Sequence, residues 1–501
     1  YELWLDESGE FKDSIEFMSK SLKTNYLFNL LNTVSGLLFP LITFPYASRI
    51  LLADGIGQVN FFQSIIQYIT LLTCLGIPMY AIREIAKVRD DVKERNKTAV
   101  EILLLHASLT FIGYVIVAIL ISTVTEIKVD IPLFLILSTT IFFTAIGCEW
   151  FYQGVEDFKY ITIRGLIVKT VSVVLLFLLV KTKEDILWYA VYSVIGVLGG
   201  NIFNFLRLRK YISIKQLSFK ELYPLKHLLP ALHIFVLNLV ISIYVQLNSV
   251  MLGFMADTTS VGLFTAASKL SHMTLGIVGA LGTAMLPRLT NLIATGQKEK
   301  FNQLSQKAMQ FVIAITLPMT VGMILTAPYL VRLFCGDTYT PAILTLQIIS
   351  PIILAIGISN ILGIQILYPQ GQENKVIWST ALGAIVNFLF NLWLIPQLAQ
   401  DGASIATVVA EIIVTVSMIF IGRRFIPIKW RNRNYFHYLM GTICMGLGVW
   451  CWMNYNSIQS DILNLIISCG IGIILYTVSL IILKDSFYVE IKSIIYKRIK
   501  F

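Results

Sequence analysis

The chain has 501 residues, of which 56% are hydrophobic and only 14% are charged, and its formal net charge is +10. A mean hydropathy of +0.76 leaves too little polar surface to cover a water-soluble globule of this length. The composition therefore excludes a soluble enzyme or a soluble binding domain and predicts a protein that lives in a lipid bilayer.

The N-terminal segment differs from the rest of the chain. Residues 1–17 are hydrophilic, and Met18 is a plausible native start. We expect residues 1–17 to be non-native or an upstream extension, and the fold prediction leaves them out.

Apolar windows long enough to cross about 30 Å of hydrocarbon as a helix recur fourteen times after this segment. Their spacing predicts an all-α integral membrane protein with about 14 transmembrane helices. The predicted spans are 24–45, 58–80, 99–122, 131–152, 160–181, 185–206, 227–254, 261–286, 306–331, 341–367, 375–396, 402–422, 435–454 and 462–483.

The positive charges follow this topology. With the N-terminus in the cytoplasm, 32 of the 39 Lys and Arg residues fall on cytoplasmic segments and five on the outer side, while Lys169 and Lys269 lie inside spans. Such a bias is what the positive-inside rule produces. It predicts cytoplasmic N- and C-termini, and it assigns the basic runs to topology and lipid headgroups rather than to nucleic acid.

Two motif pairs indicate an internal duplication. Gln-Gly-x-Glu occurs at 153–156 and 370–373, and Ala-Asp followed by Gly occurs at 53–57 and 256–262. Spans 1 to 6 then correspond to spans 7 to 12, and an even offset makes the repeat parallel. The prediction is an arrangement of two six-helix lobes with two additional C-terminal helices. Its segments are an N-lobe at 18–212, a cytoplasmic connector at 213–226, a C-lobe at 227–425, and spans 13 and 14 with a basic cytoplasmic tail at 426–501.

The Gln-Gly-x-Glu copies are predicted to be turns at the cytoplasmic ends of helix hairpins. Glycine permits a positive φ in a tight turn, and the acid that follows it can cap the next helix. Substrate contact is the less favoured alternative for these residues.

Polar side chains recur at helical spacing inside several spans. Because exposing a polar group to lipid costs free energy, we expect these side chains to face the interior of the helix bundle. The alternative for each residue is a hydrogen bond between helices. The predicted cavity-lining polar residues are Asn25, Asn29, Asn32, Gln63, Asn238, Gln246, His272 and Asn387.

The positively charged residues inside the spans or at their ends are the most informative indication of the cargo. Lys269 lies about nine residues into span 8, too deep to reach either interface, and Arg49 ends span 1. Lys169 lies equally deep in span 5, with Arg164 nearer its cytoplasmic end. Cations bordering a polar cleft predict an anionic cargo.

Carboxylates near these cations leave an alternative open. Glu149 and Glu411 are the available charge partners, so a structural ion pair is a second interpretation of Lys169. Spans 1 and 7 contain no Asp or Glu, so neither supplies the buried carboxylate expected of a simple cation-coupled drug exporter.

Three segments carry a recognisable set of motifs: 44–49, 80–86 and, most specifically, 149–164, which reads EWFYQGVEDFKYITIR. They resemble the Wzx-type oligosaccharide-lipid flippases of the multidrug/oligosaccharidyl-lipid/polysaccharide (MOP) exporter superfamily, and the resemblance runs from about residue 21 to the end of span 14. The resemblance implies a fourteen-helix, two-lobed, MATE-like fold and a cation-lined cavity. It also implies transport of undecaprenyl-diphosphate-linked glycan units from the cytoplasmic to the outer leaflet.

The sequence therefore predicts a flippase of the bacterial cytoplasmic (inner) membrane, used in O-antigen or capsular polysaccharide synthesis and working by alternating access. Arg49, Lys269, Lys169 and Arg164 are the predicted diphosphate-binding residues. No catalytic residue, metal site or cofactor is expected, and coupling to an ion gradient or to the membrane potential stays open. Membrane lipids and polysaccharide polymerase or assembly proteins are candidate partners, nucleic acid is not, and a monomer is expected.

Three other classes of protein fit the sequence less well. A MATE-type antiporter for drugs or metabolites shares the fold, and ion-coupled efflux of cationic dyes would identify it. A membrane glycosyltransferase or polymerase would carry a large outer loop, whereas the longest predicted here has about ten residues. A structural scaffold would not need lysines at the membrane midplane.

Overall fold

The computed structural model describes the backbone of residues 9–212 and 219–485. Side-chain surroundings are described for these residues except at 9–35, 37–38, 219, 233, 236–245 and six positions between 277 and 284. The described chain consists of helices and their connections, with no strand in these ranges. This confirms the predicted all-α class.

The structure divides into two compact units: residues 1–43 with 66–238, and residues 44–65 with 239–501. The first unit holds most of the N-terminal half. Its helices are α1 (Gly9–Cys74, which also contributes 44–65 to the second unit), α2 (Ile77–Lys87), α3 (Val92–Thr123), α4 (Thr125–Lys128), α5 (Ile131–Ile146), α6 (Glu149–Gly154), α7 (Phe158–Leu179), α8 (Ile186–Leu198) and α9 (Gly200–Leu208). Short 3-10 turns follow at Phe219–Glu221 and Pro224–His227.

The second unit begins within a long helix and continues to the end of the described chain. Its helices are α10 (Leu228–Met255, whose first turns belong to the first unit), α11 (Thr258–Ala294), α12 (Lys298–Cys335), α13 (Ala342–Ile349), α14 (Ile352–Asn360), α15 (Glu373–Gly422), α16 (Arg433–Tyr455) and α17 (Asp461–Ile482). A π-helical stretch, Ile361–Leu367, and a 3-10 turn, Tyr368–Gln370, connect α14 to α15.

Long apolar helices account for the predicted membrane spans. In the described ranges nine helices are long and apolar enough to cross a bilayer, or up to ten if the pair α8 and α9, bent by 44°, is one span. Two of the nine, Phe39–Lys87 and Glu373–Gly422, exceed twice the roughly 20 residues of one crossing and contain non-helical breaks at Leu52 and Ala399. The number fourteen stays a prediction.

The unit boundaries do not follow chain order. Residues 44–65 group with the C-terminal half, and residues 227–238 group with the N-terminal half. The sequence predicts two lobes, 18–212 and 227–425, on either side of the connector. Their boundaries stay predictions.

The duplicated Ala-Asp motif packs its two copies together inside the second unit. A Cβ at Gly57 would collide with the carbonyl oxygen of Thr258, and one at Gly262 would collide with that of Ala53. The Thr258 hydroxyl also donates a hydrogen bond to Asp54. Glycine at both positions is therefore required for this close contact between α1 and α11.

The Gln-Gly-x-Glu copies differ from one another. Gly371 has φ +66° and forms the predicted turn, but Gly154 is helical and buried, so the prediction of a positive φ there is wrong. A Cβ at Gly154 would lie 2.7 Å from the Ile85 side chain, so this glycine serves packing against α2. The positive φ falls on Glu156, and the cap of α7 is the side chain of Asp157, the residue after the acid of the motif.

Candidate anion-binding site

Arg49 binds the C-terminal end of a long helix in the second unit. Its Nη2 atom donates a hydrogen bond of 2.6 Å to the backbone carbonyl of Leu333, in the last turn of α12. The neighbouring Ser48 hydroxyl lies 3.3 Å from the carbonyl oxygen of Phe334. Terminal carbonyls of a helix carry partial negative charge, so they hold the guanidinium without neutralising it.

Lys269 lies deep in α11, eleven residues after the helix begins at Thr258, which corresponds to roughly 16 Å along its axis. Its Nζ atom lies 4.4 Å from the centroid of the Phe44 ring. It forms no ion pair with a carboxylate among the described residues. A ring face stabilises an ammonium by about 0.5 to 2 kcal/mol, and the full positive charge remains.

The two cations are connected through one helix. The ring that Lys269 contacts belongs to Phe44, which precedes Arg49 by five residues in α1, about 7.5 Å along the helix axis. Two cations with neutral partners thus lie within about two turns of α1, and such a pair can bind a doubly charged anionic group.

Further polar residues of the second unit lie on α1, α10 and α11. The Ser64 hydroxyl donates to the side-chain oxygen of Gln246 at 3.1 Å, Gln63 is half-buried, and His272 is exposed one turn beyond Lys269. Four predicted cavity-lining side chains lie outside those that the structure describes: Asn25, Asn29, Asn32 and Asn238.

Asn387 occupies a different kind of site. It is fully buried and accepts a hydrogen bond of 3.1 Å from Asn391, which also donates to Asn248 at 2.7 Å. Asn248 continues the chain to the Thr407 hydroxyl at 3.0 Å. This buried network between α10 and α15 favours the hydrogen-bonding interpretation of Asn387 over contact with a cargo.

The remaining predicted cations belong to the first unit and have an acidic neighbour. Arg164 donates from Nη2 to Glu149 at 2.9 Å, and Gln153 binds the same carboxylate at 3.3 Å. Lys169, Arg164 and Glu149 line one cavity of about 120 Å³. Glu149 therefore pairs with Arg164 and neutralises that cation, while its predicted role as the partner of Lys169 stays a prediction.

Glu411, the second predicted charge partner, is buried on α15 in the second unit with 8% of its surface exposed. Its backbone carbonyl accepts a hydrogen bond from the hydroxyl of Thr415. A role in charge pairing stays a prediction for this residue.

The sequence interpretation missed a buried carboxylate in the first unit. Glu101 on α3 is fully buried and accepts from Lys226 at 2.6 Å and from the Tyr223 backbone at 2.9 Å, while His227 lies 3.1 Å away. The other ring nitrogen of His227 lies 2.7 Å from the hydroxyl of Tyr80 on α2. The network fixes the end of the connector to two helices, and the only signal for it was an acid inside an apolar span.

Two family models match overlapping parts of this chain. The family described as "Polysaccharide biosynthesis protein" matches residues 22–293, and the family described as "Lipid II flippase MurJ" matches residues 166–467. A protein of Shigella dysenteriae described as "Putative O-antigen transporter" is 27% identical over 398 residues, which cover 79% of this chain and 99% of that protein.

Solved structures share the fold at low identity. The lipid II flippase MurJ in an inward closed conformation superposes with a TM-score of 0.71 at 16% identity, covering 93% of this chain and 99% of that one. An inward-facing MATE transporter of the MOP superfamily gives 0.60 at 14% identity, covering 80% and 94%.

The relatives are named as transporters and flippases, and the long apolar helices in the described ranges fit a multi-pass membrane protein of that kind. The chain has the MurJ/MATE fold, and the family resemblance seen in residues 44–49, 80–86 and 149–164 is confirmed. The chain belongs to the polysaccharide biosynthesis protein family.

Proposed function

We propose that this protein moves undecaprenyl-diphosphate-linked oligosaccharide units from the cytoplasmic to the outer leaflet of the bacterial inner membrane. The family and the O-antigen transporter of Shigella dysenteriae support a glycan carried on a lipid. The diphosphate of such a cargo needs cations that the protein has not already neutralised.

One observation carries the assignment of the site. Arg49 is held by a backbone carbonyl and Lys269 by an aromatic ring, so neither has a carboxylate competing for its charge in the described chain. Two such cations within about two turns of one helix match the two phosphates of the cargo. Where a contact is shielded from water, a charge-assisted hydrogen bond contributes more than the same bond at the surface.

The rest of the cycle follows from the chemistry of the cargo. The Asn, Gln and Ser side chains of the spans would hold the glycan, and the prenyl tail would stay in lipid while the site alternates between the two sides. Cytoplasmic termini, a monomeric state and action together with polymerase or assembly proteins complete the proposal. No cofactor is required by it, and an ion gradient or the membrane potential would supply directionality.

Transport in reconstituted vesicles tests the proposal. Purified wild-type protein should flip a prenyl-diphosphate oligosaccharide that carries a fluorescent label, measured by access of an impermeant glycosidase. Lys269→Ala should lower the rate by at least about tenfold, since one charge-assisted bond is worth about 1.5 to 3 kcal/mol. Lys269→Arg, which keeps the charge, should retain most of the rate. Unchanged flipping by Lys269→Ala would show that the site is elsewhere.

The second candidate is a MATE-type antiporter, which the shared fold favours. Fold alone does not settle function, because one fold hosts several cargoes. An antiporter would export cationic dyes when an ion gradient is imposed and would leave the labelled glycolipid in place. The cations of the candidate site argue against it, because they repel such a cargo.

A further inference from the structure

The first unit contains a second site of a different character. A groove of about 710 Å³ runs between α7 and α9 and is lined from both helices. The α7 lining includes Lys159, Ile163 and Ile167, which recur every four residues and so form one stripe of that helix. The α9 side includes Phe203 and continues past the end of that helix.

The groove has a charged end and an apolar end. Lys159 lies in the first turn of α7, Arg207 in the last turn of α9 and Lys210 just beyond it, so the basic side chains gather at one end. Arg207 fixes this geometry, since its guanidinium lies 3.8 Å from the Tyr160 ring centroid and 2.8 Å from Asp157.

Apolar side chains occupy the other end of the groove and are open to the surroundings. Ile167 is 58% exposed and Phe203 is 56% exposed, with Ile163 and Leu206 at 41% and 50%. In a membrane protein such side chains face hydrocarbon. A cationic end followed by an exposed apolar stripe is complementary to a lipid with an anionic headgroup.

The basic residues that have no ion pair determine which headgroup charge the groove can bind. Asp157 neutralises Arg207, and Glu149 neutralises Arg164. Lys159 and Lys210 are exposed and have no ion pair among the described residues, so the charged end keeps two positive charges.

Arg164 also retains hydrogen-bonding capacity beside the groove. Its Nε and Nη1 atoms are buried and have no hydrogen-bond partner within the described chain, although its Nη2 binds Glu149. Donors left without partners at a buried site are costly, and a phosphate oxygen or a bound water would satisfy them.

We propose that the α7–α9 groove binds an anionic phospholipid of the surrounding bilayer, with its phosphate at Lys159 and Lys210 and an acyl chain along Ile163, Ile167 and Phe203. The groove is not suited to the glycan cargo, because no Asn, Gln, Ser or Thr is among the described residues that line it. Basic pockets between membrane helices are a known mode of binding for such headgroups. The proposal depends on the membrane location of the chain and not on the identity of its cargo.

Native mass spectrometry of the purified full chain tests this site. Protein titrated with phosphatidylglycerol should retain one additional lipid that phosphatidylcholine does not supply. The double variant Lys159→Ala with Lys210→Ala should weaken this binding by about 10- to 30-fold, since each basic residue at a lipid surface contributes about 1 kcal/mol. The matched control, Lys298→Ala with Lys300→Ala, removes the same charge at the start of α12 and should bind as wild type does.

A third variant tests the groove without changing its charge. Leu206→Trp enlarges a half-exposed side chain in the groove and should displace the lipid while both lysines remain. Unchanged phosphatidylglycerol binding in the lysine double variant, or an equal loss in the control, would overturn the proposal. So would tighter, lysine-dependent retention of undecaprenyl diphosphate than of phosphatidylglycerol, because the groove would then be a cargo site.

Discussion

Arg49 and Lys269 of the second unit are held differently from three cations of the first unit. In the first unit Arg164, Arg207 and Lys226 each pair with a carboxylate, at 2.9, 2.8 and 2.6 Å. In the second unit Arg49 binds a backbone carbonyl and Lys269 lies over an aromatic ring. A carboxylate cancels the charge it orients, whereas a carbonyl or a ring orients the charge and leaves it free for an anion. Burial or depth of a cation alone therefore does not mark a binding site.

Removing both cations of the second unit should have the largest effect on cargo binding. Arg49→Ala combined with Lys269→Ala removes two charge-assisted contacts of about 1.5 to 3 kcal/mol each, which predicts a loss of affinity for undecaprenyl diphosphate of at least about 100-fold. Fluorescence titration of the purified protein measures it. Arg49→Lys with Lys269→Arg serves as the control, because it keeps both charges, and a similar loss there would implicate geometry and not charge.

Breaking a carboxylate pair in the first unit should affect stability instead. Glu101→Gln removes the negative charge from a fully buried site with three polar neighbours, and we expect a loss of about 3 kcal/mol in stability with little change in cargo affinity. Thermal unfolding in detergent, followed by titration at a temperature where both proteins are folded, separates the two quantities. A loss of cargo affinity without a loss of stability would contradict the assignment of this carboxylate to stability.

The pair of Arg164 and Glu149 gives a milder test. Arg164→Ala alone leaves a partly exposed carboxylate without its partner, so a modest loss of stability of about 1 kcal/mol is expected. Removing both residues, with Glu149→Ala added, should recover part of that loss and leave the affinity for undecaprenyl diphosphate within about threefold of wild type. Strong loss of affinity in the double variant would place the diphosphate in the first unit.

Removing the ring beneath Lys269 should have the smallest effect. Phe44→Leu keeps an apolar side chain but abolishes the cation–π contact, which contributes about 0.5 to 1 kcal/mol to fixing the ammonium. Cargo affinity should fall by about threefold. Phe44→Tyr keeps the ring and should match wild type in the same titration, whereas an equal loss there would point to packing.

Membrane location, helical class and family could be predicted from the sequence, because they depend on hydropathy, charge bias and local motifs that are continuous in the chain. Lys269 was also predictable as a candidate, since its depth in an apolar span requires only counting. Its partner Phe44 was not, because the two residues lie on helices that only the tertiary fold brings together.

Contacts between distant segments account for what the sequence did not predict. Glu101 and the connector residues Tyr223 to His227 are more than a hundred positions apart, and no periodicity links them. Gly154 and Gly371 occur in the same motif, yet only Gly371 has a positive φ, because Gly154 packs on Ile85. Asn387 has the spacing of a cavity residue but lies inside a buried network. Residues in the same sequence pattern therefore occupy different structural environments.

Parallel titration of wild type, Lys269→Ala and Arg164→Ala with undecaprenyl diphosphate tests the central claim most directly. The claim is that a cation with a neutral partner binds the diphosphate and a cation paired with a carboxylate does not. We predict that Lys269→Ala weakens binding by at least about tenfold while Arg164→Ala stays within about threefold of wild type. A tenfold loss in Arg164→Ala with wild-type binding in Lys269→Ala would contradict the account.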